Sequence, residues 1–198
     1  MKILVIGATG TIGAHVVKAL RAHHQIVEAS RNAGVRVDID DPASIKKMYR
    51  EVGPVDAVVV AAGGGAFRPL AELSESDFEY SLRSKLMGQV NVVRFGLQNV
   101  ADGGSFTLTS GVLAQDPMPG SAAISLINSG VEGFARAAAL ELQSRKIRVN
   151  VVSPGWISET LSAMGQDPAN GIPAADVANA YVEAVEGTAS GTVISAKK

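Results

Sequence analysis

Short apolar runs alternate with longer amphipathic ones along this chain, a pattern that assigns apolar residues either to buried strands or to one side of a helix. The short runs predict strands at Lys2–Ile6, Gln25–Ser30, Val35–Asp38, Asp56–Ala61, Ser105–Thr109, Arg148–Val152 and Thr192–Ser195. The amphipathic stretches predict helices near Thr11–Ala22, Pro42–Val52, Glu75–Val100, Ala122–Arg145 and Ala174–Glu186. After Asp56 the run Ala57-Val58-Val59-Val60-Ala61 is apolar without interruption, as a central strand covered on both faces requires. Pro42 behind Asp40-Asp41 is a good helix start, because proline suits the first helical position and an acidic residue can cap it. Alternating strands and helices, with no repeat and no low-complexity linker, predict an α/β fold. It is a doubly wound parallel sheet of about seven strands in a single domain over residues 1–198.

Two connections are unusual. Only Arg31 to Gly34 separate the second and third strands, too few for the dozen or more residues of a parallel crossover. The chain also ends soon after its last strand, so the site is expected to be built from loops at the strand ends. The segment Trp156 to Ile172 is the one expected to cover it.

Composition narrows the chemistry. The 198 residues are 46% hydrophobic with 21 glycines, which suits a packed α/β chain and not a disordered one. The absence of cysteine removes disulfides, thiolate metal sites and cysteine nucleophiles together. His15, His23 and His24 have no carboxylate at helical spacing, so no metal site is expected. A net charge of -1 without a basic cluster argues against nucleic acid as a partner. No apolar run approaches the ~20 residues of a membrane span, and the first strand is too short for a signal peptide; a cytoplasmic location is the expectation.

The chemistry begins at Gly7-Ala8-Thr9-Gly10-Thr11-Ile12-Gly13, between a strand and a helix. Glycines there let the chain turn sharply and let backbone N–H groups approach a pyrophosphate at a helix N-terminus, as in a Rossmann-type site. Gly7, Thr9, Gly10, Thr11, Ile12 and Gly13 are therefore candidate cofactor-binding residues. The second strand should end beside the adenosine ribose, where an NAD site would place an acidic residue. Here stand Ser30 and Arg31, whose guanidinium suits a 2′-phosphate, so NADP is expected ahead of NAD. Glu28, two residues earlier on the same strand face, is a competing ribose acceptor.

From Ile3 to Ile194 the chain resembles the short-chain dehydrogenase/reductase family. Its most specific part is Arg148-Val149-Asn150-Val151-Val152-Ser153-Pro154-Gly155, close to the family's sixth strand and Pro-Gly turn. The resemblance implies that Pro154, Gly155 and Ile157 meet the nicotinamide amide and that Asp38 accepts from the adenine amino group. It also implies that Ala62 and Gly63, in Ala61-Ala62-Gly63-Gly64, give the cofactor close approach. Gly133-Phe134-Ala135-Arg136 and Leu140-Glu141-Leu142 set the register of the preceding helix. In that register the family's Tyr-x-x-x-Lys pair falls on Ile124 and Asn128, its Ser on Ser110, and its Asn on Lys85.

Isoleucine cannot deliver a proton, so the family's usual route to carbonyl reduction is absent or crippled; losing a general acid costs ~10²–10⁴ in rate. Ser110, Lys85 and Asn128 are the remaining catalytic candidates. Ser110 can hold the substrate oxygen, Asn128 can hydrogen-bond the nicotinamide ribose, and a desolvated Lys85 can stabilise an alkoxide or donate a proton. Lys85 as a surface lysine lying along its helix stays open as the alternative. The expected activity is an NADP(H)-dependent oxidoreductase of a small carbonyl or alcohol; a catalytically silent NADP(H)-binding sensor is the other reading. The family's dimerising helices correspond to Glu75–Val100 and Ala122–Arg145, so a homodimer or homotetramer is expected.

Overall fold

The computed structural model describes residues 1–198. Seven strands form one parallel sheet in the order β3-β2-β1-β4-β5-β6-β7: β1 Lys2–Ile6, β2 Gln25–Ser30, β3 Val35–Arg36, β4 Val55–Val60, β5 Val100–Thr109, β6 Arg148–Pro154 and β7 Val193–Ala196. The helices are α1 Thr11–Arg21, α2 Pro42–Val52, α3 Glu75–Ser81, α4 Gly88–Gly96, α5 Ala122–Glu141, α6 Ser158–Ala163 and α7 Ala174–Glu186. Alternation along the strands divides the core in two. Leu4, Ile6, Val58, Val60, Phe106 and Leu108 pack with residues of α2, α4 and α5, whereas Ile3, Val5, Ala57 and Val59 pack with α1 and α7. This is the doubly wound arrangement the alternation predicted, and it places all the strand C-termini along one edge. No helix is long and apolar enough to cross a membrane.

The short β2–β3 connection is resolved by a strand of only two residues. Ala29 pairs with Val35 and Ser30 with Arg36, so four residues bring the chain back alongside β2 without a crossover helix. The Ser30 hydroxyl holds this loop by accepting from the N–H groups of Asn32 (3.3 Å) and Ala33 (2.9 Å) and donating to the Ala33 carbonyl (2.7 Å). Gly34, at φ 66°, closes against the Glu28 carbonyl, where a Cβ would collide. Strand β5 is longer than predicted because Val55 pairs with Val100 but Ala57 with Ser105. The polar Ala101–Gly104 stretch is thus an irregularity in the ladder, and it carries no hydrophobic alternation.

The predicted helix Glu75–Val100 is also interrupted. Between α3 and α4, Leu82–Met87 forms a π-turn, a widening that commonly marks a functional site. Gln89, completely buried, accounts for it: its Nε2 donates to the Lys85 carbonyl (3.0 Å) and to the Thr109 carbonyl (2.8 Å), while its Oε1 accepts from the Thr109 N–H (2.8 Å). A side chain inserted in this way replaces backbone bonds of the helix. Helix α4 then stops at Gly96, where the absence of a Cβ lets the ring of Tyr49 approach and donate to the Val92 carbonyl (2.8 Å).

Replacing Gln89 with leucine removes three backbone hydrogen bonds in a dry site. Gln89→Leu is expected to lose ~3 kcal/mol or more of stability, read as a lower urea midpoint at unchanged slope; a loss below ~1 kcal/mol contradicts this account.

Candidate active site

A cleft of about 340 Å³ opens at the C-terminal ends of β1, β2 and β4. Gly7, at φ 85°, turns the chain out of β1 against the Ala61 carbonyl, and Gly13 lies directly on the Gly7 carbonyl; a Cβ at either position would strike backbone. Gly10 differs: its nearest contact for a Cβ is the Gly7 carbonyl at 3.3 Å, and the residue lines the cleft. Helix α1 begins at Thr11 with no side-chain cap and no acidic residue in its first turn. Its first N–H groups and the positive end of its dipole are therefore available to an anion. Thr9 lines the cleft, but Thr11 does not, and the Ile12 side chain packs into the α1/α7 core layer, so only its backbone can serve a ligand.

At the far end of the cleft stand Arg31, Asn32 and Asp38. Arg31 is exposed and makes no ion pair within the chain. Ser30 also lines the cleft, yet its donor and both acceptor positions are engaged in the β2–β3 loop, so it shapes the site and has no bond left for a ligand. Glu28 is paired with Arg21 of α1 and does not line the cleft. Asp38 Oδ1 accepts from the Asp40 N–H (3.1 Å), leaving its carboxylate with free acceptor positions.

Ala62 and Gly63 carry the cleft towards a second, smaller chamber. The Cβ position on Gly63 lies 2.8 Å from the Lys85 Cα, so the β4 turn sits directly on the π-turn. Ser84 lines the cleft and its neighbour Lys85 lines the chamber, so the π-turn borders both spaces. The chamber, about 170 Å³, brings together Lys85, Ser110, Asn128, Pro154 and Gly155, with Ile124 and Trp156 in its wall. Ile157 is not there: it is buried against α7 and bridges to Ile172, which fixes the start of the covering segment.

Each polar group in the chamber has a distinct environment. Lys85 is half-buried, its Nζ donates to the Ser110 carbonyl (2.8 Å), and desolvation pushes its pKa down to about 8. That position rules out the surface alternative for Lys85. Asn128 is 1% exposed; its Nδ2 makes one long bond to the Gly111 carbonyl (3.4 Å), and its Oδ1 is buried without a partner. An orphaned acceptor of this kind is costly unless a ligand supplies a donor. Ser110 follows Thr109, whose N–H, carbonyl and hydroxyl are all fixed: the first two by Gln89, the third by the Val60 carbonyl and the Tyr181 hydroxyl (2.7 Å).

One residue in this neighbourhood escaped the sequence reading. Glu132 of α5 is 6% exposed and accepts from the Ser110 hydroxyl at 2.9 Å. Its only signal was spacing, since Ile124, Asn128 and Glu132 recur every four residues and so share one stripe of the helix. In a sequence, a glutamate in a helix full of alanines reads as a solvated charge.

Comparison with known proteins agrees with the geometry. Residues 7–189 match the family model described as Enoyl-(Acyl carrier protein) reductase. The rat 3-oxoacyl-[acyl-carrier-protein] reductase is 32% identical over 119 residues, 60% of this chain and 50% of that protein. A hydroxynaphthalene reductase-like protein Arp2 of Metarhizium brunneum is 29% identical over 133 residues, 65% of this chain and 50% of its own length. The chain thus spans about half the length of the curated relatives it matches. Among solved structures, the protein lin1944 from Listeria innocua superposes with a TM-score of 0.94 at 41% identity, covering 98% of both chains. A small-chain dehydrogenase in complex with NADPH superposes with a TM-score of 0.87 at 29% identity, covering 98% of this chain and 95% of the other. A match that begins in the glycine loop and runs past the last helix, on a fold shared almost end to end with solved dehydrogenases, places this chain in the short-chain dehydrogenase/reductase family.

Proposed function

We propose that the chain is an NADP(H)-dependent oxidoreductase of a small carbonyl or alcohol, working with a rearranged set of polar groups. The observation that carries this reading is the chamber itself, where a desolvated lysine, a fixed serine and an unpartnered buried amide converge at the end of a nucleotide-shaped cleft. The residues present fit a nicotinamide dinucleotide. Gly10 and the uncapped start of α1 suit the pyrophosphate, Arg31 a 2′-phosphate, Asp38 the adenine amino group, and Asn128 Oδ1 a ribose hydroxyl. Such a group supplies or accepts a hydride when bound. The pairing of Glu28 with Arg21 favours NADP, because it removes the competing ribose acceptor. NADPH in the related small-chain dehydrogenase points the same way.

The chain's own part in the chemistry follows from position. Lys85 places a positive charge in a confined space where negative charge develops on the substrate oxygen, an interaction far stronger there than in water. Ser110 orients that oxygen. Pro154, Gly155 and Trp156 line a chamber of about 170 Å³, a size that suits small substrates. A silent sensor would share the cleft and the loss of the tyrosine at Ile124, and differs only in showing tight binding without turnover.

Association with a second copy belongs to the same proposal. Helix α5 exposes Leu126, Gly133 and Leu140 at seven-residue spacing, and a Cβ at Gly133 would meet nothing within 4 Å. Gly130, by contrast, is occupied internally by Leu86. An apolar stripe with a glycine at its centre suits close approach of a twofold-related helix.

Four measurements test these points. Arg31→Asp should weaken NADPH binding ~10-fold or more while sparing NADH; equal affinity for NADPH before and after the change excludes the 2′-phosphate assignment. Lys85→Ala should lower kcat for carbonyl reduction by ~10²–10³ with cofactor affinity retained. The active form of Lys85 is the ammonium, so wild-type reduction should fall as pH rises through about 8, and that limb should vanish in the variant. Sedimentation at micromolar concentration should give a dimer or tetramer mass that Leu126→Glu reduces; a monomer in the wild type rejects the association.

A further inference from the structure

The mechanism above leaves a buried carboxylate without a role. Glu132 is held among polar partners on every side: the Ser110 hydroxyl donates to Oε1 at 2.9 Å, and Gln115 Nε2 donates to Oε1 and Oε2 at 2.6 and 2.7 Å. Arg136 Nη1 lies 3.9 Å from Oε2, and Gln115 Oε1 in turn accepts from the Ser153 hydroxyl at 3.5 Å. The charged side chains facing this cluster are Arg136 from α5 itself and Lys85 from the π-turn across the chamber. Both carboxylate oxygens are placed as acceptors, Oε1 from Ser110 and Gln115 and Oε2 from Gln115. Burying such a group is expensive, and a surface glutamate would serve α5 equally well.

We propose that Ser110 and Glu132 form a proton relay that replaces the missing tyrosine. The proposal rests on the oxidoreductase reading and assigns its proton path. In alcohol oxidation the substrate O–H bond breaks as the C=O bond forms. The released proton goes to Ser110 Oγ while the serine's own proton passes to Glu132 Oε1. A bound oxidised nicotinamide would supply the acceptor for the hydride that the alcohol carbon gives up, which balances the two-electron oxidation. In carbonyl reduction the proton returns from Glu132 through Ser110 to the substrate oxygen. Ser110 is the catalytic residue of the pair, since it alone lines the chamber; Glu132 acts through it. Lys85 is then free to act as a fixed charge and need not give up a proton in each cycle. Gln115 holds the carboxylate in place, and Thr109 holds the serine.

The test compares the wild type with Glu132→Gln, which keeps size and a hydrogen-bond acceptor for Ser110 but cannot take up a proton. The substrates are cyclohexanol and a benzylic secondary alcohol with NADP⁺, and NADPH affinity is followed separately by nucleotide fluorescence. The relay predicts a ~10²–10⁴-fold loss of kcat with NADPH affinity held within about threefold, and partial recovery in Glu132→Asp. Added formate should restore turnover to Glu132→Ala, a rescue that a purely structural role would not show. Oxidation by Glu132→Gln at the wild-type rate overturns the relay and leaves the oxidoreductase reading standing. A kcat loss matched by an equal loss of NADPH affinity overturns it as well, because Glu132 is then structural. A wild type that binds NADPH and turns over neither these alcohols nor the matching ketones overturns the oxidoreductase reading, and the relay with it. If Glu132→Gln fails to fold, carbon-13 NMR of the free chain decides. Ser110→Ala should shift the Glu132 carboxylate resonance and leave that of exposed Glu141 in place; an unmoved Glu132 resonance rejects the pair.

Discussion

The site depends on where β5 stops. Thr109, its last residue, has every polar atom tied: N–H and carbonyl to Gln89, hydroxyl to the Val60 carbonyl and to Tyr181. These bonds join a central strand, the neighbouring strand, the interrupted helix and α7 at one buried point. Ser110 emerges from it with little freedom, and the same Gln89 fixes the carbonyl of Lys85. Two reactive side chains on different elements are thus positioned by a single buried amide. Hydrogen bonds of this kind contribute modestly to stability when made and cost much more when one partner is lost, so the arrangement favours precision over robustness.

The rest of the site is built outward from that point. The glycines of the β1–α1 turn bring helix and strand into backbone contact and leave Gly10 lining the cleft. The β4 turn lies on the π-turn through Gly63, which aligns the cleft with the chamber. The chamber's cation, Lys85, comes from the π-turn, and its amide, Asn128, from α5.

Much of this was legible in the residues, and what was not has identifiable causes. The unbroken apolar run Ala57–Ala61 announced a strand covered on both faces, and the glycine spacing announced the turn into α1. Register alone brought Lys85, Ser110 and Asn128 to one place. Local sequence could not show that Ser30 closes its own loop, because that requires the chain to return beside β2 within four residues. Nor could it show the π-turn, which is set by a glutamine side chain bonding to a strand far away in sequence. The packing of the Ile157 side chain away from the chamber was hidden for a related reason: its partner Ile172 lies beyond a helix and a turn. Glu132 was missed because burial of a helical glutamate is decided by the strand end it faces.

The position of Lys85 limits what else the chamber can hold. Asn128→Lys would set two cations in one small chamber, each disfavouring the other's charge. The charge of Lys85 thus reserves the chamber for one cation, and an anion that enters it meets a single fixed point of attraction.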